Sequence, residues 1–147
     1  MTGPVTGDDL LAGEFDPEAF IALTRNYGHH GLLGMNYSAH GEDWAEVVLP
    51  WRDELVGVRE AGLLASGAII SSVDMAAAIA VWIKGGQFRE LVTLDLRLDY
   101  LRPALKHETV YARCRCIRQT RSVAFVTGIA HVGDPADPIA LATATFV

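Results

Sequence analysis

Basic residues are scarce in this chain of 147 residues. Lys and Arg number 12 against 18 Asp and Glu, which gives a formal net charge of −6 at pH 7. A protein that binds nucleic acid generally neutralises phosphates with a surplus of Lys and Arg. The acidic balance therefore argues against a general nucleic-acid binder, and any site for an anion must be local.

Cysteines are equally few, since Cys114 and Cys116 are the only two. They stand one residue apart on a predicted strand, where both side chains point to one face in poor geometry for a disulfide. No further Cys and no His at metal-ligand spacing accompanies them. We interpret them as reduced residues of the core, and we expect neither a metal nor a bound cofactor.

The N-terminus lacks the marks of a targeting segment. Residues 1–20 have no basic start and no apolar run of seven or more residues, so they do not resemble a secretory signal, and a cytoplasmic location is expected. The length of the chain leaves room for one domain. We predict a flexible segment over residues 1–14, rich in Gly, Pro and Asp, and a single domain over residues 15–147.

A long apolar stretch over residues 61–83 is the feature most like a membrane span. It contains Asp74 near its centre, which disfavours insertion into a bilayer by about 2.5 to 3.5 kcal/mol. Its Ala content and lack of Pro instead predict a helix over residues 67–84 that ends at Gly85 and Gly86. This helix is apolar on nearly every side, so we expect protein to surround it.

A second, shorter helix and six strands are predicted around it. Asp16 caps the short helix, Pro17 is its first residue and it runs to about Arg25, while residues 28–31 break it. Residues 50–62 are expected to form a surface loop. The strands are predicted at residues 33–38, 44–49, 92–101, 107–118, 122–132 and 138–147.

The arrangement of these elements predicts the fold class. The first two strands form a hairpin, and the last four follow one another closely enough to form a meander. Strand 92–101 alternates between apolar and polar residues, which predicts one buried face and one wet face. We therefore predict an α+β hotdog fold, in which a curved antiparallel sheet of about six strands wraps around the long helix.

Asp74 is the residue most indicative of function. A carboxylate in an apolar helix is costly unless it is hydrogen-bonded, so it is either a structural group or a general base or nucleophile tuned by burial. At the start of the same helix, the backbone N–H groups of Ser66 and Gly67 can hold a carbonyl oxygen. They lie about 10 to 12 Å from Asp74 along the helix, so Asp74 would have to meet the helix start of a second subunit.

Two segments resemble a known family. The stretch LLASGAIISSVDMAAA resembles the helix-start signature of the phenylacetic-acid-degradation (PaaI-like) hotdog thioesterases, which is L-H-G-G followed by seven residues that end in Asp. The stretch TLDLRLDYLRPA resembles the strand that follows in that family. The similarity in pattern runs from about Leu33 to the C-terminus and implies hydrolysis of an acyl-CoA thioester.

The resemblance also implies roles for individual residues. Asp74 would activate water or attack the thioester, the N–H of Ser66 or Gly67 would polarise the carbonyl, and Thr93 would support the site. Thr93 lies on the predicted wet face of its strand, where it can equally be an ordinary strand residue without a role in the site. Ala65 stands where the family has His, Ser66 replaces its first Gly, and Arg59 replaces an Asn. The replaced His motivates an alternative, a non-catalytic domain that binds or senses acyl-CoA.

The remaining expectations concern the substrate and the assembly. A CoA substrate requires a local basic patch, and the candidates for it are Arg59, Arg102, Arg118 and Arg121. Arg118 and Arg121 flank a predicted hairpin turn, and charged residues at such turns are usually only solvated. His29 and His30 lie in a Gly-rich loop with no third ligand at metal spacing and receive no role. We expect a homodimer that pairs residues 92–101 across a two-fold axis, or a dimer of dimers, with no nucleic-acid or membrane partner.

Overall fold

The computed structural model describes residue 8, residues 12–26 and residues 28–147. Most of the segment predicted to be flexible, residues 1–14, lies outside the described residues, so its mobility stays a prediction. The first helix described in full, α1, spans Pro17–Thr24. The Asp16 side chain caps it as predicted, because its carboxylate accepts a hydrogen bond of 3.0 Å from the Ala19 N–H.

Two further α-helices and a 3-10 helix, Asp53–Leu55, follow in the described residues. The short helix α2 spans Gly28–Leu33, so the prediction of a loop at residues 28–31 is wrong. Gly28 and Gly34 both have positive φ, of 65° and 70°, and these left-handed turns allow one helical turn to form between them. The long helix α3 spans Ser66–Gly85 and ends at Gly86, whose φ of 74° forms the expected left-handed cap.

Within residues 12–26 and 28–147, eight strands form two sheets. All six predicted strands are present, although the first begins at Asn36, because Leu33 belongs to α2. The prediction of a plain loop over residues 50–62 is wrong, because a short strand within it pairs with a second short strand formed by the residues that follow. Gly62, with a φ of 65°, turns the chain between these two strands. The strands are β1 Asn36–His40, β2 Trp44–Leu49, β3 Val56–Val58, β4 Leu63–Leu64, β5 Thr93–Tyr100, β6 Val110–Gln119, β7 Ala124–His131 and β8 Ala140–Phe146.

The main sheet is antiparallel throughout, with the order β1-β2-β6-β7-β8-β5. The predicted meander of four strands is therefore only a meander of three, β6 to β8, and β5 pairs with β8 at the edge. Residues 101–109 join β5 to β6 without a tight turn. They can cross the intervening strands, a distance of about 14 Å, because an extended segment of that length reaches about 30 Å.

Helix α3 packs across one face of the main sheet, which establishes the predicted α+β hotdog arrangement. Its residues Ala76, Ala77, Ala80 and Val81 are fully buried. By length and composition alone α3 could cross a membrane, but 61% of its most apolar window is buried inside this fold. Cys114 and Cys116 are both buried and unbridged, and burial raises the pKa of the Cys114 thiol to about 12.

Two surfaces are less covered than predicted. Strand β5 has no buried residue, because it is an edge strand; Val92 just before it and Leu94 within it are 62% and 59% exposed. Helix α3 also keeps a partly open face, which we call the α3 stripe. It consists of Gly67, Ile70, Ser71, Asp74 and Ala78, which are exposed or half-buried and repeat at helical spacing.

Candidate active site

Asp74 and Thr93 are in direct contact. Asp74 is half-buried in the middle of the α3 stripe, and Thr93 is the first residue of β5. Thr93 Oγ1 donates a hydrogen bond of 3.0 Å to Asp74 Oδ1. One carboxylate oxygen is thereby fixed, and within the described residues no hydrogen bond reaches the other.

A β-bulge explains why Thr93 faces the helix. Simple alternation places Thr93 on the face of Asp95, Arg97 and Asp99, away from Leu96 and Leu98, and that was the prediction. The register of β5 against β8 shifts between Thr93 and Asp95, however, and such a shift turns the residues on its two sides relative to each other. Thr93 is thereby turned towards α3, while its side chain stays exposed, as predicted for a residue on the wet face.

The start of α3 presents backbone donors that bind no acceptor within the part of the chain that the structure describes. Ala65 is the N-cap residue and has no side-chain atom that could cap the helix. The N–H groups of Ser66 and Gly67 precede the first intrahelical bond and point outwards at the positive end of the helix dipole. A side chain at Gly67 would meet no atom within 4 Å at its Cβ, so the space beside Gly67 is open.

Tyr100 fixes the same end of the helix to β5. Its hydroxyl donates a hydrogen bond of 3.0 Å to the Ser66 carbonyl oxygen. Together with the bond from Thr93 to Asp74, this contact sets β5 antiparallel to α3 along the stripe. Ser66 and Asp74 remain eight residues apart, about 12 Å along the axis, which is too far for both to act on one carbonyl group.

Two cavities open beside the helix start. The first, which we call the Tyr100 cavity, has a volume of about 360 Å³, and its lining is mainly apolar. It is lined by Leu64, Ser66, Ile69, Tyr100, Leu101, Arg102, Pro103 and Ala104. The second, the Trp51 cavity, has a volume of about 380 Å³ and is lined by Trp51, Asp53, Val56, Arg59, Gly62 and Lys106.

The four candidate arginines are scattered. Arg59 lines the Trp51 cavity near the helix start. Arg102 lines the Tyr100 cavity, but its guanidinium is held by Asp137 at 3.2 Å and lies 3.9 Å from Glu108.

Arg118 and Arg121 are exposed at the turn between β6 and β7. The neighbouring Gln119 lies against Gly85, at the far end of α3 and about 27 Å from the helix start. Within one chain these two arginines do not meet the N–H donors.

The sequence interpretation missed the two histidines of α2. His29 Nε2 lies 3.1 Å from Ser71 Oγ, one turn from Asp74 on the α3 stripe. Burial lowers the pKa of the half-buried His30, with His29 acting in the same direction and Asp74 in the opposite one. The signal that could have indicated this is the regular spacing of Gly28, Gly31 and Gly34 around the pair, which is unusual for a plain loop.

Comparison with solved structures supports the fold. A protein from Pseudomonas aeruginosa is 33% identical, with a TM-score of 0.76 over 88% of this chain and 93% of that one. A phenylacetic acid degradation-related protein from Ralstonia eutropha JMP134 is 26% identical, with a TM-score of 0.67 over 79% and 86% of the two chains. A thioesterase from Haemophilus influenzae, 22% identical, shares the fold with a TM-score of 0.78 over 93% and 92%.

Sequence comparison identifies the family. No curated protein matches this chain. Residues 61–139, more than half of the chain, match the family model of the Thioesterase superfamily, and this region contains α3, β5 and the Asp74 site. The chain therefore belongs to the thioesterase superfamily, as a PaaI-like hotdog protein.

Proposed function

We propose that this protein hydrolyses an acyl-CoA thioester to a free acid and CoA in active sites shared between two subunits. The observation that carries this proposal is the Asp74 carboxylate, held by Thr93 on the open stripe of α3 in a chain of the thioesterase superfamily. A partly buried carboxylate with one oxygen fixed and the other open is suited to act on a bound water or carbonyl carbon.

The reaction needs only groups of the protein and water. The thioester carbonyl oxygen binds the N–H groups of Ser66 and Gly67, which stabilise the negative charge that develops on it. Asp74 either takes a proton from the water that attacks the carbonyl carbon, or attacks that carbon itself and is released by water afterwards. The C–S bond breaks and its electron pair leaves with the sulfur. The sulfur becomes the thiol by taking the proton from Asp74 in the first route, or a proton from solvent in the second.

Two observations support a shared site. Asp74 lies about 12 Å from the donors of its own helix, so one chain does not bring both to one carbonyl. Edge strand β5 carries exposed apolar residues, including Leu94, and pairing it with β5 of a second subunit covers them and extends the sheet. The helix of the second subunit then supplies the missing carboxylate. A dimer of two such dimers is a further possible assembly.

The cavities at the helix start suit the two parts of the substrate. The mainly apolar Tyr100 cavity borders Ser66 and can take an apolar portion of the thioester. The Trp51 cavity brings Arg59 and Lys106 together, with Asp53 as its one acidic residue. Two cations beside an aromatic ring suit the phosphates and the base of CoA, so we place the nucleotide there.

A non-catalytic acyl-CoA binding domain is the second candidate, and Ala65 in place of the family His is the feature that favours it. A steady-state assay of thiol release on a panel of acyl-CoAs separates the two. Release that depends on Asp74 establishes a thioesterase. Saturable acyl-CoA binding without any thiol release would establish the binding domain instead.

A further inference from the structure

The outer edge of β5 carries backbone groups that a second strand can bind. β5 is the last strand of the main sheet and pairs with β8 on one side only. The Leu101 N–H donates to the Ile139 carbonyl oxygen at 2.8 Å, and along an antiparallel strand alternate residues bond to the same neighbour. Every second residue counted back from Leu101 therefore bonds to β8. The residues between them, among them Leu96 and Leu98, direct their N–H and C=O groups to the free edge.

Charges alternate in sign along the face of β5 that is turned away from α3. This face carries Asp95, Arg97 and Asp99, whereas Leu96 and Leu98 pack against the core. The Arg97 side chain is 71% exposed and donates to Asp99 at 3.0 Å. In the described part of the chain, no hydrogen bond or ion pair reaches the exposed Asp95 side chain. Asp95 is thus available to a cation on another strand.

A two-fold axis allows only a few registers for pairing β5 with its own copy. Side chains directly opposite each other in an antiparallel pair lie on one face, so one residue must lie on the axis, opposite itself. An axis at Asp95, Arg97 or Asp99 sets like charges opposite each other, which destabilises the pair. An axis at Leu96 sets Asp95 of each strand opposite Arg97 of the other. An axis at Leu98 sets Arg97 opposite Asp99 instead.

The length of the paired strand favours the axis at Leu96. With Leu96 on the axis, residues 92–100 of the two strands lie opposite one another, and this range includes the whole of β5. With Leu98 on the axis, only residues 96–100 find partners within β5. Each further pair satisfies backbone groups of the free edge and covers exposed side chains, so the longer pairing is the more stable one.

The axis at Leu96 also completes the shared site. Tyr100 binds the Ser66 carbonyl at the start of α3, and Thr93 binds Asp74, at the opposite end of β5. Pairing about Leu96 sets Tyr100 of one strand beside the Thr93 end of the other. The Asp74 carboxylate of one subunit thereby approaches the helix start of its partner. Pairing about residue 98 instead sets Thr93 about 10 Å past the Tyr100 of the partner.

We propose that two subunits pair β5 with β5 about a two-fold axis at Leu96, and that Asp95 of each forms an ion pair with Arg97 of the other. This inference rests on the proposed shared site and adds the surface through which the second subunit builds it. Arg97 then binds Asp99 of its own strand and Asp95 of the partner strand. The two copies of Leu96 exchange both of their backbone hydrogen bonds, because their N–H and C=O groups face the free edge.

Disulfide cross-linking of the full-length chain tests the register without any substrate. The Cα atoms of a hydrogen-bonded antiparallel pair lie about 5.5 Å apart, which suits a disulfide. Leu96→Cys should therefore give a covalent dimer on oxidation, seen on a non-reducing gel. Leu98→Cys, at a neighbouring half-buried leucine, is the matched control and should give none, because its two copies lie about 13 Å apart. The wild type should give none either, since Cys114 and Cys116 are buried.

Exchange of charges tests the ion pair at exposed positions. Asp95→Arg sets arginines opposite each other and Arg97→Asp sets aspartates opposite each other, so each should raise the Kd of the dimer about tenfold. The two substitutions together restore opposite charges and should return the Kd to within about threefold of wild type. Arg97→Asp with Asp99→Arg is the matched control, which would restore pairing only about an axis at Leu98. Analytical ultracentrifugation measures each Kd.

The outcomes separate the pairing from the activity. A covalent dimer of Leu98→Cys without one of Leu96→Cys, or rescue by the Asp99→Arg pair alone, overturns the axis at Leu96. A wild type that stays monomeric overturns the pairing altogether. If the Leu96→Cys dimer forms and the wild type hydrolyses no acyl-CoA, the pairing stands and the thioesterase proposal falls. Circular dichroism checks folding, and should a Cys variant fail to fold, the charge exchange at the exposed Asp95 decides by the same criteria.

Discussion

Thr93 Oγ1 donates a 3.0 Å hydrogen bond to Asp74 Oδ1, and this bond joins the edge strand of the sheet to the one carboxylate of the long helix. The contact depends on the bulge at the start of β5, which turns Thr93 towards α3. It orients the carboxylate and leaves its second oxygen open. The candidate site therefore needs both residues, since α3 supplies the carboxylate and β5 supplies the hydroxyl that orients it.

Replacement of Asp74 by Asn should abolish most of the activity. The Asn side chain keeps the size and can still accept from Thr93, but it is neither a base nor a nucleophile, so we expect thioester turnover to fall by a factor of about 100 or more. The measurement is thiol release by folded protein. Glu42→Gln, at an exposed carboxylate in the turn between β1 and β2, is the control and should behave as wild type. Normal turnover by folded Asp74→Asn would make Asp74 a structural residue.

Loss of the Thr93 hydroxyl should lower kcat less than loss of the Asp74 carboxylate that it binds. Thr93→Val keeps the shape of the side chain and removes the donor, and we expect kcat to fall about tenfold, as for the loss of one hydrogen bond to a charged group. Thr93→Ser keeps the donor and should retain most of kcat. Equal loss in both variants would indicate that the methyl group matters for packing and that the hydrogen bond does not.

The fold could be predicted because its signals are local. The Ala-rich run without Pro identified α3, and Asp16 followed by Pro17 identified the start of α1. The position of β5 could not be predicted in this way, because pairing with β8 instead of β6 depends on which edges remain free after the other strands have assembled. A nearest-neighbour meander is the simplest interpretation of consecutive strands, and the longer connection over residues 101–109 makes another order possible.

The site was predictable in its residue types and less so in its geometry. Asp74 stands out because a carboxylate is rare in an apolar helix. The direction of Thr93 depends on a single-residue bulge, which alternation does not reveal. The approach of His29 to Ser71 depends on the packing of α2, which Gly31 allows to lie close to the Arg25 backbone at the end of α1. Such contacts are tertiary, so neither spacing nor composition indicates them.

The location of the CoA phosphates can be tested by comparing two basic pairs. We expect Arg59→Ala combined with Lys106→Ala to raise KM for acyl-CoA about tenfold, because both residues line the Trp51 cavity near the helix start. KM for an acyl thioester that lacks the nucleotide should stay unchanged. The hairpin pair Arg118→Ala with Arg121→Ala, which lies at the far end of α3 in the same chain, is the comparison.

The result distinguishes two arrangements. If KM for acyl-CoA rises only when Arg59 and Lys106 are replaced, the nucleotide binds beside the helix start of the same chain. If KM for acyl-CoA rises only when Arg118 and Arg121 are replaced, the nucleotide binds at the other end of α3. If both thioesters respond equally to each pair, neither pair binds the phosphates.

A buried carboxylate on the other face of the sheet should make stability dependent on pH. Glu46 is 5% exposed and accepts three hydrogen bonds, from Ser38 at 2.8 Å, from Arg113 at 2.8 Å and from His131 at 3.0 Å. Burial alone would raise its pKa, but the bonds from His131 and Ser38 and the charge of Arg113 lower the pKa overall. Folding thus favours the ionised form of Glu46.

The sign of the pH effect follows from this lowered pKa. The stabilisation is fully present above the ordinary carboxyl pKa of the unfolded chain, and it is lost as the pH falls through the lower pKa of the folded protein. Glu46→Gln should lower the free energy of unfolding by about 1.5 to 3 kcal/mol at pH 7. In urea titrations the difference from wild type should shrink steadily as the pH falls below 4.5, the ordinary value. A difference that does not vary with pH would mean that the charge of Glu46 is unimportant.

The last prediction concerns the shared site, which requires each active centre to take its N–H donors from one subunit and its carboxylate from another. Asp74→Asn removes the carboxylate and leaves the donors intact. Gly67→Phe should do the opposite, because a side chain at Gly67 starts in open space, so the fold can accept the ring while the ring covers the N–H groups. Each variant alone should be nearly inactive as a homodimer.

Mixed dimers of the two variants should regain activity. In such a dimer one site has both its donors and its carboxylate, and the other site has neither. With random assembly, half of the dimers are mixed and one of their two sites is intact, so up to about one quarter of the wild-type activity should return. Native mass spectrometry measures the fraction of mixed dimers, and the recovered activity should rise in proportion to it. If mixed dimers form and no activity returns, the donors and Asp74 act within one chain, and the 12 Å between them along α3 would have to be closed by a movement of the helix start.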